Sequence, residues 1–244
     1  KEKTWAGYAM LRFGHDVSLG GEERELDGNF GVRVVKTETT SQGLQVFNTN
    51  TQSTVPAADL AFANGAKSQY VGGRDYVNVL PSLNLRLKVT PEMFVRFAAA
   101  KAITRPNFAN MFNIQVIGFA DTNANNDAFN YGNPALKPQE SKQFDLGIEY
   151  YYGKGNLVSA NFFYKKIDNF ITTQTQTNQS VGVVSPDSGL DRWTINRYVN
   201  AGGGKITGLE LQINHGFAGG FGVAANYTYS DATGVLILDR VTPV

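Results

Sequence analysis

Cysteine is absent from this chain, so it has no disulfide framework, no thiolate metal site and no cysteine nucleophile. Histidine is scarce, and His15 and His215 stand far apart without the spacing of metal ligands. No apolar run reaches the ~18 residues that a membrane-crossing helix needs, although 42% of the residues are hydrophobic. A formal net charge of +1, with no Lys/Arg run, points away from a nucleic-acid partner. Lys1-Glu2-Lys3-Thr4-Trp5 is no signal peptide, so the expectation is a chain that begins after processing or within a longer protein. What is abundant is glycine (26 residues), aromatics (12%) and Asn, Thr and Gln, a mixture that suits long strands joined by polar loops.

The strongest periodic signal runs from Tyr76 to Val89. Val77, Val79, Pro81, Leu83, Leu85, Leu87 and Val89 alternate with Asn78, Leu80, Ser82, Asn84, Arg86 and Lys88. A period of two over this length is a strand with one apolar and one polar face. It is about twice the usual length in a soluble domain, and matches the ~10 residues of a transmembrane β-strand. Similar strands are predicted over Trp5–Phe13, Leu26–Gln42, Met93–Thr104, Gln143–Tyr151, Leu157–Thr172, Trp193–Phe217 and Phe221–Ser230. Trp193–Phe217 is either one long strand or a strand with a glycine bulge at 202–204.

Short connections (Gly14–Glu25, Thr90–Glu92, Gly153–Asn156, Ala218–Gly220) take turns with long ones (Gly43–Asp75, Arg105–Pro138, Thr173–Arg192). In an up-and-down meander all the long loops then lie at one end and all the tight turns at the other, as in outer-membrane barrels. Phe13, Phe30, Phe94, Tyr150, Tyr151, Tyr152, Phe217 and Phe221 gather near the short turns, the expected place of an interfacial aromatic girdle. The fold expected is therefore all-β, an antiparallel up-and-down transmembrane barrel wall of about eight strands. Two other architectures remain open: a complete eight-stranded passive barrel with a side-chain-filled lumen, and a soluble all-β carbohydrate-binding module.

No catalytic constellation emerges, so no enzyme, cofactor or metal is expected. Asp145 and Glu149 share a strand face about 13 Å apart by strand rise, too wide for a glycosidase pair. Gly202-Gly203-Gly204-Lys205 lacks the Walker spacing.

Five segments in order carry a family resemblance: Leu26–Gly43 (LDGNFGVRVVKTETTSQG), Leu80–Phe108 (LPSLNLRLKVTPEMFVRFAAAKAITRPNF), Gly132–Ile171 (GNPALKPQESKQFDLGIEYYYGKGNLVSANFFYKKIDNFI), Ile206–Phe217 (ITGLELQINHGF) and Asn226–Ala232 (NYTYSDA). Together they resemble the C-terminal barrel of TonB-dependent outer-membrane receptors, in the style of proteobacterial oligosaccharide and siderophore uptake proteins. Gln139 stands where that family usually carries Glu. The resemblance implies residence in the bilayer of a Gram-negative outer membrane, a barrel of about twenty-two strands of which this chain is an internal part, and a plug domain and TonB box outside it. It also implies a small-molecule ligand, an oligosaccharide or a ferric siderophore, imported with TonB-supplied energy. The residues that would face the lumen and plug are Arg33, Asn78, Asn84, Arg86, Lys88, Asp145, Glu149, Glu210 and Gln212; a plain solvated wall is the alternative. Ligand capture falls to the long loops, where Tyr70, Phe119, Phe129, Tyr131, Trp193 and Tyr198, with Asn130, Asn196 and Arg197, are the candidates, since ring faces stack on sugars or aromatic siderophores. For each of these, loop packing is the alternative. The uncharged Thr173–Ser180 run (TQTQTNQS) favours a neutral polyhydroxylated ligand.

Overall fold

The structure, a computed structural model, describes residues 1–49, 68–112, 115–119, 128–182, 184 and 189–235. Alternation builds it. Eight long strands form an antiparallel wall: β1 (Glu2–Leu19), β2 (Glu22–Thr49), β3 (Ser68–Lys88), β4 (Met93–Thr104), β7 (Gln139–Tyr152), β8 (Asn156–Gln179), β9 (Trp193–Gly216) and β10 (Gly222–Val235). Two short strands, β5 (Gln115–Phe119) and β6 (Ala128–Tyr131), lie between β4 and β7 in sequence, after the one-turn helix α1 (Phe108–Met111). Along the belt the wall runs β1-β2-β3-β4-β7-β8-β9-β10 and does not close, with β1 and β10 as its edges; at the loop end β5 and β6 link β2 to β9.

Register puts the apolar residues of every strand on one surface. Phe30 faces Leu11 and Leu83; Leu83 faces Ala99, which faces Phe144, which faces Tyr164. Val79, Leu146, Ile148, Leu211 and Tyr227 on this outward face are exposed. On β3 the apolar stretch Val77–Leu87 spans roughly 33 Å of strand, or about 25 Å of membrane thickness at the usual ~40° tilt. No helix among the described residues is long and apolar enough to cross a membrane; the strands have the length to do so.

Several connections differ from expectation. Gly14–Glu25 is no polar loop: β1 and β2 pair as far as Leu19–Glu22, and only Gly20 and Gly21 turn, both at positive φ (65° and 85°). That is the backbone a two-residue hairpin demands, and glycine supplies it without strain. The long loops are partly strand: β2 continues to Thr49, β3 starts at Ser68 and β8 reaches Gln179. The extension of β8 beyond Thr172 is polar on both faces, so no alternation announces it. Pairing of β8 with β9 keeps one register across the glycines at 202–204, but opposite Gly202 Asn169 adopts a positive φ of 63° and drops out of the ladder, and a register shift follows between Gln176 and Gln179. Gly203 permits close approach, since a Cβ would stand 2.4 Å from the Ile167 carbonyl oxygen.

The girdle also divides. Tyr150 and Tyr152 stack at 5.6 Å, Tyr152 stacks on His215 at 5.7 Å, and His215 meets Phe217 edge-on at 4.4 Å, a continuous outward band at the turn end. Tyr152 Oη and His215 Nδ1 share a hydrogen bond of 3.1 Å. Phe94 and Tyr151 belong to the other face: they pack edge-on at 5.9 Å, with the Arg86 guanidinium 5.8 Å from the Phe94 ring.

Candidate functional site

The inward face is where polar side chains converge. Arg33, Asn78, Asn84, Arg86, Lys88, Asp145, Glu149, Glu210 and Gln212 all lie on it, as register dictates once the apolar partners face outward. Asp27 on β2 accepts from Arg86 on β3 at a single oxygen, Oδ2, which lies 2.7 Å from Nε and 2.6 Å from Nη2, a charge-assisted pair. Glu25 stands 3.7 Å from Arg86 and 3.9 Å from Lys88. Arg96 on β4 faces Arg86 directly, a like-charge pair, and is neutralised from the other side by Glu149 on β7 at 2.8 Å. Asn84 donates to Asn29 Oδ1 at 3.0 Å. Asp27, Asn84, Arg86, Arg96 and Glu149, with Asp145, line a recess of about 580 Å³. Asp27, Asn29 and Arg96 were not singled out from sequence, although the same alternation places them on the polar face.

At the loop end the inward face is covered by the chain itself. Val35, Thr37, Thr39 and Asn78 are buried there. Arg105, just past β4, pairs with Glu2 of β1 at 2.9 Å, and Arg74 of β3 donates to the Ala135 carbonyl at 3.0 Å. The connection from Arg105 to Pro138 therefore crosses the inside of the wall. Its β5 pairs in parallel with the end of β2, its β6 with the start of β9, and the two pair with each other. Asn133 and Asn200 fasten the return: Asn133 Nδ2 donates to the Tyr198 carbonyl (2.9 Å), and Asn200 both accepts from Lys137 N (2.7 Å) and donates to Lys137 O (2.9 Å). Asn78, expected to meet a plug, is thus covered by this chain's own connection. Its Nδ2 has no hydrogen-bond partner among the described residues.

The loop-end candidates separate into two groups. Phe129 and Trp193 are 0% and 1% exposed and pack edge-on at 4.7 Å, beside buried Met111, Leu136, Val199 and Ala201. They form a small apolar core, so packing, not ligand contact, is their part here; an aromatic in a polar loop looks the same in sequence either way. Tyr131 stacks on Phe129 at 5.8 Å and stays half-buried. Asn130 and Asn196 remain accessible. Thr175 Oγ1 donates to Asn196 Oδ1 (2.7 Å) and Asn196 Nδ2 donates to Asn130 Oδ1 (3.2 Å), a neutral polar row across β8, β9 and β6. Arg197 and Tyr198 are half-buried, with Arg197 Nε lacking a partner among the described residues. Tyr70 ends up in β3 opposite Gly43 and Phe119 in β5 opposite Thr49; their side chains lie outside the described residues. No group of three or more His, Asp or Glu among the described residues is placed to hold a metal.

An amphipathic wall of this height, apolar outside and ion-paired inside, with polar strands projecting past the belt, defines the class: an outer-membrane β-barrel. A family model described as "TonB dependent receptor-like, beta-barrel" matches residues 1–242, and the chain belongs to that family, whose members are Gram-negative outer-membrane transporters and not enzymes. Solved structures agree on the fold. The Serratia marcescens hemophore receptor HasR is similar at TM-score 0.56 and 20% identity, covering 94% of this chain and 34% of that one. The ferric enterobactin receptor PfeA of Pseudomonas aeruginosa (TM-score 0.53, 17% identity, 94% and 36% covered) and the siderophore receptor PirA of Acinetobacter baumannii (0.51, 18%, 94% and 36%) are similar to the same degree. This chain spans about a third of the length of these structures. A search of curated protein sequences finds no match.

Proposed function

We propose that this chain is part of the barrel wall of a receptor that imports a scarce nutrient across the outer membrane. The observation that carries this reading is the amphipathic belt of the wall, apolar outward and lined inward by the paired charges Asp27–Arg86 and Arg96–Glu149, with the neutral row Thr175–Asn196–Asn130 accessible at the loop end. The charged part suits a docking surface for a plug, through which a TonB complex would supply energy. The strands beyond the two open edges, and the plug itself, belong to the rest of the receptor. The loop-end row suits a ligand met from outside. Amides and a hydroxyl without charge match an oligosaccharide, whose hydroxyls exchange such hydrogen bonds one for one.

One feature favours a second ligand class. The guanidinium of half-buried Arg197, next to Asn196 in β9 but on the opposite face of the strand, would suit an anionic ferric complex, the class named for two of the structural neighbours. Titration of the full receptor in detergent with maltose-type and chitin-type oligosaccharides, a ferric catechol siderophore and heme separates the two. The expected result is saturable sugar binding that weakens about tenfold in Asn196→Ala, as loss of one or two neutral hydrogen bonds implies. Binding of an iron complex alone, lost in Arg197→Ala, would replace the sugar by the siderophore class. Binding of neither overturns the site.

A further inference from the structure

The outward face carries a row of lysines that the receptor reading leaves unused. Lys101 on β4 faces Lys142 on β7, which faces Lys166 on β8, which faces Lys205 on β9. Neighbouring strands are about 4.8 Å apart, so four ammonium groups stand in one ladder, an arrangement that costs stability unless an anion neutralises it. Each is the first charged residue above the apolar belt on its strand, just beyond Ala99, Phe144, Tyr164 and Thr207. Lys142, Lys166 and Lys205 are exposed. Glu140 reaches Lys101 at 2.9 Å and Asp168 reaches Lys166 at 3.3 Å, whereas no carboxylate stands within ion-pair distance of Lys142 or Lys205 among the described residues. With Asp231 of β10 counted as well, the patch stays positive. At the turn end the corresponding outward positions hold Tyr150, Tyr152, His215 and Phe217, so the two rims differ in kind.

Directly below the lysines lies a groove of about 640 Å³, lined by Phe30, Leu83, Phe97, Phe144 and Tyr164 and bounded above by Lys101 and Lys142. Its floor exists because Ala99 sits between Leu83 and Phe144, a methyl group between two large side chains. A cationic ladder above an apolar groove has the polarity of a lipid: anionic head above, acyl chain below.

We propose that this surface is a binding site for a single lipid of the outer leaflet whose headgroup carries phosphate groups, with the phosphates on Lys142, Lys166 and Lys205 and an acyl chain in the groove over Ala99. The lysine ladder supplies head selectivity; the groove supplies chain affinity. A lysine at an anionic lipid surface strengthens binding about fivefold, so three lysines together contribute on the order of a hundredfold.

Native mass spectrometry of the detergent-purified full receptor tests this, with bis-phosphorylated lipid A, its dephosphorylated counterpart and inorganic phosphate as probes. The phosphorylated lipid is expected to bind at least tenfold more tightly than the dephosphorylated one. The triple variant Lys142→Gln/Lys166→Gln/Lys205→Gln is expected to lose about a hundredfold for the phosphorylated lipid alone, and Lys→Arg at the same positions to retain binding. Ala99→Phe, which fills the groove, is expected to weaken both lipids alike. Equal affinity for the two lipids, unchanged binding by the triple variant, or full displacement by inorganic phosphate would each overturn the proposal. Should the Gln variant fail to fold, the comparison of the two lipids on the unaltered receptor still decides.

Discussion

Gly73 and Gly7 are both strand glycines, and their surroundings give them opposite tolerances. A Cβ at Gly73 would stand 2.1 Å from the Thr39 carbonyl oxygen, a backbone atom that can move only if β2 and β3 part; at Gly7 nothing lies within 4 Å. Gly73→Ala is therefore expected to destabilise the barrel by about 1–3 kcal/mol, as overpacking does, and Gly7→Ala to leave it unchanged. The unfolding temperature of each variant, read by its heat-shifted electrophoretic mobility, checks both. The Asp27–Arg86 pair poses a different residue-scale question, because two guanidinium nitrogens meet one carboxylate oxygen yet the two side chains are 36% and 38% exposed. Exposure lets water screen the charges, so a double-mutant cycle of Asp27→Ala and Arg86→Ala should give a coupling of no more than about 1 kcal/mol. A larger coupling in the full receptor would mean that something dry covers the pair, which is what a seated plug would do.

Adjacent residues on β7 show what the period of two enforces at the scale of an element. Leu146 faces Phe97 and Phe162 on the outward surface, and Asp145 faces Ala98 and Phe163 on the inward one. Leu146→Arg should cost about 2–4 kcal/mol in a bilayer, while Asp145→Arg, which exposes its charge to the lumen, should cost close to nothing. Folding yields of the two variants into lipid vesicles measure the difference. This contrast was legible in the sequence, as were the belt strands β3, β7, β8, β9 and β10, because a bilayer imposes alternation wherever it touches the wall. Above the belt that imposition stops. Thr173–Gln179 is polar on both faces, so its strand character comes from its pairing partner and not from a local pattern, whereas the start of β9, where Trp193, Ile195, Val199 and Ala201 alternate with Thr194, Asn196, Tyr198 and Asn200, was read as strand from the sequence. The hairpin of β5 and β6 was hidden because its strands, five and four residues long, are too short to show a period. Phe129 and Trp193 looked like ligand platforms because their burial depends on a connection that folds inward, a tertiary fact. The lysine ladder is equally non-local: Lys101, Lys142, Lys166 and Lys205 form no run in the chain and meet only through register.

For the molecule as a whole, the open edges carry the sharpest consequence. The strands β1 and β10 each leave one row of backbone groups without a strand partner along the belt, and hydrocarbon offers them none. Either these edges find further strands, as in a larger barrel, or they find each other, as in a complete eight-stranded one. Both arrangements satisfy the amides, so amide protection alone would not tell them apart. Proximity does. Single cysteines at the outward positions Gly7, Ala9 and Leu11 of β1, combined in turn with cysteines at Val223, Ala225 and Tyr227 of β10, would include a bridgeable pair if the wall closed on itself, since a disulfide needs Cα atoms within about 7 Å. In a receptor whose wall continues past both edges, none of the pairs should oxidise to a cross-link in intact outer membranes, while a control pair at Leu11 and Phe30, which face each other across β1 and β2, should. A cross-link between β1 and β10 would instead make the chain a small closed barrel. The inward connection and the paired charges would then fill its lumen, and no room would be left for a plug.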